Sequence, residues 1–177
     1  MSLLNKDSIV IACDPSFRSS GYAIFKGEKL LSFGTIKTST KDENRFELIG
    51  LRFCEVLMRH EPDILVIETQ FISPKFSNIN TLRVVEVKGF IEGLFMYRRI
   101  QKGVHTTIVE VAPTEAKKFI GVIGREDTKK QVKSLVEQRF PEIKKINQDE
   151  SDAVAIGLTG IHKFNSQNVL KKYKNKI

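Results

Sequence analysis

Ser8-Ile-Val-Ile-Ala-Cys-Asp14 is an unbroken apolar run closed by a carboxylate, and Asp63-Ile-Leu-Val-Ile-Glu68 repeats that form later in the chain. Runs of this length without polar alternation are the pattern of strands covered on both faces, as in a sheet with helices on either side. After the first run, Ser20–Lys26 and Leu30–Lys37 flank the turn Gly27-Glu28. The first three strands therefore read as an antiparallel meander.

Outward from this core the pattern changes period. Glu43–His60 carries Phe46, Ile49, Phe53, Val56 and Leu57 at helical spacing, and Pro62 closes it. Residues 70–80 form a polar loop, and Thr81–Gln101 is a long helix with Val84, Val87, Ile91, Leu94 and Phe95 on one side. Gly89 and Gly93 lie four apart in it, which weakens a helix but admits a close neighbour. Thr106–Val111 is a β-branched strand, Pro113 opens a short helix, and Asp127–Phe140 is an amphipathic helix. A last helix starts near Asp149 and fades into a basic tail. Three strands followed by alternating helix and strand make an α/β sheet with antiparallel and parallel parts.

A chain of 177 residues with 41% hydrophobic and 28% charged residues fits one globular domain over 1–163 with a basic tail over 164–177. No long apolar stretch suggests a membrane span, and Met1–Asp7 lacks the form of a signal peptide. Cys13 and Cys54, without metal-ligand spacing, read as buried packing residues of a reducing compartment. The formal charge of +8 points to a polyanionic partner, although five lysines from Lys163 onward account for all but +3 of it. The tail is either a solubilising appendage or a DNA-touching arm.

Chemistry enters with the carboxylates. Asp14 and Glu68 end two strands that would lie parallel and adjacent, where α/β proteins bind ligands. Asp149 and Asp152, at i and i+3, project from one face at a helix start, a position in which acidic residues also serve as ordinary caps. Asp14 before Pro15 could likewise start a turn, whereas a Glu after four apolar strand residues has no propensity reason to be there. Charges at the edge of a core are costly unless offset. Four converging carboxylates call for divalent metal, and oxygen donors suit Mg²⁺ or Mn²⁺ over zinc. Two such ions per site can promote in-line attack on a phosphodiester. His60, His105 and His162 show no zinc-type spacing.

The segments Ile11-Ala-Cys-Asp-Pro-Ser-Phe-Arg-Ser-Ser-Gly-Tyr22, Val66-Ile-Glu-Thr-Gln-Phe71, Lys117-Lys-Phe-Ile-Gly-Val-Ile-Gly124, Lys129-Lys-Gln-Val132 and Asp149-Glu-Ser-Asp-Ala-Val-Ala-Ile156 together resemble the RuvC family of Holliday-junction resolvases. The resemblance implies an RNase H-like fold with a mixed five-stranded sheet flanked by helices. It implies a homodimeric endonuclease acting in the cytoplasm on four-way junctions and other branched DNA by paired incisions. Asp14, Glu68, Asp149 and Asp152 match the family's metal-binding catalytic carboxylates. Phe71 matches an aromatic residue that stacks on bases at the opened junction centre, and Lys117 and Lys129 match residues that contact the DNA backbone. Lys130 competes with Lys129 for that match. The long helix with Gly89 and Gly93 matches the dimer contact. Ser16 replaces the family's usual glycine, the loop Ile72–Asn80 differs in composition, and the tail has no counterpart.

Two other readings compete. A non-catalytic binder of branched DNA could keep the fold, but it would gain nothing from four carboxylates facing phosphates. A nucleotide-binding module of the sugar-kinase or actin type would need glycine-rich phosphate loops and a second such domain, for which the chain is too short.

Overall fold

The structure, a computed structural model, describes residues 4, 6–70 and 79–174, with side chains up to residue 168. Strands β1 (Ile9–Asp14), β2 (Ser19–Lys26) and β3 (Lys29–Lys37) lead into helix α1 (Arg45–His60). Strand β4 (Ile64–Glu68), helix α2 (Ile79–Gln101) and strand β5 (Thr107–Val111) follow. Helices α3 (Pro113–Ile120), α4 (Thr128–Arg139) and α5 (Gln148–Lys174) complete the order. The sheet runs β3-β2-β1-β4-β5, antiparallel across the meander and parallel through β1, β4 and β5. This is the mixed five-stranded architecture expected from the alternation of apolar runs and helical periods.

β1 is central, and Val10, Ile11, Ala12 and Cys13 are fully buried because helices cover both sheet faces. Residue parity divides the core. Val10 and Ala12 join Ile64, Val66, Val154 and Ile161 beneath α5. Ile11 and Cys13 join Leu65, Ile67, Phe53 and Ile91 beneath α1 and α2. Asp14 and Glu68 continue the parity of Ala12 and Val66, which aims both toward α5.

The rim at the carboxyl ends of β1, β4 and β5 collects the remaining termini. Asp14 lies opposite Gly21, Ser19 opposite Lys37, and Glu68 opposite Val111. α1 and α2 both start at this rim, since each follows a strand that ends there. α5 crosses the other face, and two of its glycines bring it close. A Cβ at Gly157 would collide with the Phe25 ring, and one at Gly160 with the Val66 methyls. By contrast, among the described residues nothing outside the local helix backbone approaches within 4 Å of a Cβ placed at Gly89 or Gly93. Where α1 packs on α2 the close approach is likewise at another glycine, Gly50, where a Cβ would meet the Phe90 ring. Cys13 is buried as expected, but Cys54 is only half-buried on α1.

Candidate active site

Four elements deliver the carboxylates. β1 and β4 place Asp14 and Glu68 side by side, one step beyond the pair Cys13 and Ile67. The start of α5 comes down on β2 at Gly21, the partner of Asp14, where any Cβ would strike the Asp149 carbonyl. Gly21 thus admits the helix that carries the other two acids.

α5 is capped without them. The Asn147 Oδ1 accepts from the Glu150 backbone N–H at 3.0 Å, and Glu150 accepts from the Asn147 N–H at 2.8 Å. This reciprocal pair is a capping box. Thr35 on β3 ties it to the sheet, donating to Glu150 at 3.1 Å and accepting from Asn147 at 2.8 Å. With capping assigned to Asn147 and Glu150, Asp149 and Asp152 are left for another purpose.

Asp14, Glu68 and Asp152 line one cavity of about 220 Å³ together with Lys117 and Lys129. Asp149 lies at its flank, where it accepts from the Ser19 hydroxyl. Glu68 accepts from the Gln70 amide at 3.1 Å, and Asp152 from the Gln148 amide at 3.0 Å. Burial raises the Asp14 pKa well above the usual carboxylate range, and the charges of Glu68, Asp152 and Asp149 raise it further. Burial raises the pKa of Glu68 as well, against the hydrogen bonds from Gln70 and Asp14 that lower it. Asp152 is raised by burial too, with Gln148, Lys129 and Lys117 pulling the other way. Burial, then Asp14 and Glu68, push up the thiol of Cys13 beneath the cluster.

None of the four carboxylates takes part in an ion pair among the described residues. No three described His, Cys, Asp or Glu side chains are grouped closely enough to hold a metal ion as they stand. The donor chemistry still fits a hard divalent cation: the candidate donors are carboxylate oxygens only, mutually repelling and half-buried.

Lys117 and Lys129 both line the cavity. Lys130 instead pairs with Asp127 at 3.3 Å on the exposed side of α4, which favours Lys129 as the matching residue. Phe71 and the loop of 72–78 lie outside the described residues, as does Phe76 within that loop. Sequence reasoning missed Ser19, Gly21, Gln70 and Gln148, which orient the carboxylates or admit them. The Asn147-x-x-Glu150 spacing was a legible capping signal; the two glutamines had none.

The family model described as crossover junction endodeoxyribonuclease RuvC matches residues 10–160. The chain belongs to the RuvC family. The crossover junction endodeoxyribonuclease RuvC of Rickettsia typhi is 30% identical over 172 residues, covering 93% of this chain and 99% of the relative. That of Caldicellulosiruptor saccharolyticus is 29% identical, covering 91% and 95%. Among solved structures, Thermus thermophilus RuvC in complex with a Holliday junction substrate aligns with a TM-score of 0.67 at 23% identity, covering 91% of this chain and 96% of that one. The yeast mitochondrial Holliday junction resolvase Ydc2 aligns with a TM-score of 0.57 at 12% identity, covering 94% and 85%. At these identities the structural likenesses establish the RNase H-like fold of RuvC resolvases.

Proposed function

We propose that this RuvC-family chain is a metal-dependent, structure-selective endodeoxyribonuclease that resolves Holliday junctions and related branched DNA by paired incisions. One observation carries the reading. Acids from β1, β4 and α5 meet in a cavity without ion-pair partners among the described residues, and two lysines stand at its wall. A site that merely bound DNA would be weakened by such a cluster, because unneutralised carboxylates repel phosphate.

Asp14, Glu68, Asp149 and Asp152 would hold Mg²⁺ or Mn²⁺, two ions per site. Bound there, such ions supply an activated water and offset charge on the departing 3′ oxygen. The chain's own residues do the rest. The ionised form of Asp14, which burial otherwise disfavours, would be favoured by a bound cation. Ser19, Gln70 and Gln148 hold Asp149, Glu68 and Asp152 in place. Lys117 and Lys129 draw the phosphate backbone toward the cavity and set its register. Phe71, three residues beyond Glu68, stacks on an unpaired base and holds the branch point open.

Paired incision needs two sites. The outer face of α2 supports a homodimer: Leu82, Met96, Tyr97 and Ile100 are exposed along it, with Gly89 and Gly93 between them uncovered by any described residue. That stripe continues the spacing of one helical face, and a second copy would cover it.

Cleavage of synthetic four-way and three-way junctions in Mg²⁺ and in Mn²⁺ tests the function. Wild type should cut the four-way junction symmetrically, and Asp14→Asn or Glu68→Gln should bind it undiminished but not cut. Full cleavage by either variant overturns the site assignment.

A further inference from the structure

Back to back with the carboxylate cavity, on the α1 and α2 side of the same rim, is a groove of about 650 Å³. It is lined by Phe17, Phe46, Arg45 and Arg83 and also by the acids Asp42, Glu43 and Glu47. Phe17 lies in the turn that leaves Asp14, so one short segment borders both the cavity and the groove.

Both guanidiniums lie over the Phe17 ring, Arg45 at 5.0 Å and Arg83 at 4.9 Å from its centroid. They are therefore no more than about 10 Å apart. Phe46 braces the ring at 5.2 Å and is itself met edge-on by Phe90 of α2 at 6.1 Å. Neither arginine forms an ion pair among the described residues, despite the acids nearby. Asp42 is engaged by the Ser39 N–H, and Arg45 is fixed by donating its Nε to the Ser39 carbonyl at 2.6 Å.

Stacking uses the flat face of a guanidinium and leaves its in-plane N–H donors unspent. Two like charges held on one aromatic platform repel each other, and an anion between them removes that cost. Planar, pre-oriented donors match phosphate oxygens.

We infer that Phe17, Arg45 and Arg83 form a second phosphate-contacting site, which takes the backbone of a DNA arm as it leaves the carboxylate cavity across the rim. This rests on the nuclease reading above and assigns the groove to the same substrate. The site would position and orient the junction without touching the reacting atoms.

The test compares wild type with Arg45→Gln/Arg83→Gln in junction gel shifts without divalent metal, across a salt series. Removing two phosphate contacts lowers the salt slope by about 2. Between 50 and 200 mM salt, wild-type affinity should then fall about tenfold further than that of the variant. Arg45→Lys/Arg83→Lys keeps both charges and should keep most of the slope. If the glutamine variant melts early, Arg83→Gln alone, at an exposed helix start, should lower the slope by about 1. An unchanged slope and affinity overturn the inference, as does a drop in dimer mass that accounts for the weaker binding. If wild type itself neither binds nor cuts junctions, the nuclease reading has failed instead.

Discussion

Asp14 shows how one residue carries two opposed demands. Its position on a central strand follows from the run before it, yet its burial and three acidic neighbours make the ionised form costly. A folded-state pKa raised above the ordinary 3.8 means that the native protein holds a proton the unfolded chain has lost. The stability contributed by this group is full below pH ~4 and lost as pH rises through the folded value. Asp14→Asn cannot ionise, so without divalent ions it should melt above wild type at pH 7, and the gap should close toward pH 4. Added Mg²⁺ should raise the melting temperature of wild type and do little for the variant. Melting of wild type above Asp14→Asn at pH 7 in a chelator would contradict the uncompensated cluster.

At the scale of elements, α5 depends on glycine where the helical pattern would favour alanine. Gly160→Ala gains about 1 kcal/mol of helix propensity but drives a methyl into Val66 of β4. Overpacking of a tight contact costs about 1–3 kcal/mol, so the variant should be less stable in denaturant unfolding. A stabilised Gly160→Ala would mean that α5 can lift off the sheet, which would also loosen Asp152. α2 gives the opposite case. A Cβ at Gly89 meets nothing within 4 Å among the described residues, so the monomer fold should persist in Gly89→Leu. If α2 carries the dimer contact, light scattering should show monomers that cut junctions poorly. An unchanged dimer mass would move the interface elsewhere.

For the whole molecule, the net charge of +8 is distributed with purpose only in part. Lys163, counted with the basic tail by composition, is docked on α3, reaching Glu115 at 3.1 Å and the Glu110 carbonyl at 3.0 Å. α5 also continues past it to Lys174, with Phe164 against the core and Asn165 accepting from the Leu4 N–H at 3.1 Å. Truncation after Lys163 would strip packing along with charge. Changing Lys171, Lys172, Lys174 and Lys176 to Gln isolates the charge. If the tail is an arm on DNA, the salt slope should flatten by about 0.9 for each phosphate that is no longer neutralised, similarly on every DNA tested. An unaltered slope makes those lysines a solubilising appendage.

Much of the fold is legible in the amino-acid sequence. Apolar runs closed by Asp14 and Glu68 specify buried strands, because only a sheet covered on both faces tolerates such runs, and strand period then puts both acids on one side. Helical spacing specifies α1 and α2 within a residue or two. What sequence could not settle is which partner each residue meets across the chain. Asp149 and Asp152 look equivalent at i and i+3, but only Asp152 lines the cavity while Asp149 turns to Ser19. Lys129 and Lys130 are adjacent in sequence, and helix rotation alone sends one to the site and the other to Asp127. Gly21 and Gly160 are ordinary glycines until α5 is laid against the sheet. The groove at Phe17 joins three segments far apart in sequence, so no local pattern announces it. Local periodicity reports which face a side chain occupies, since that is fixed by the backbone a few residues either way. The groups converging on that face are selected by packing over the whole chain, which only the tertiary structure decides.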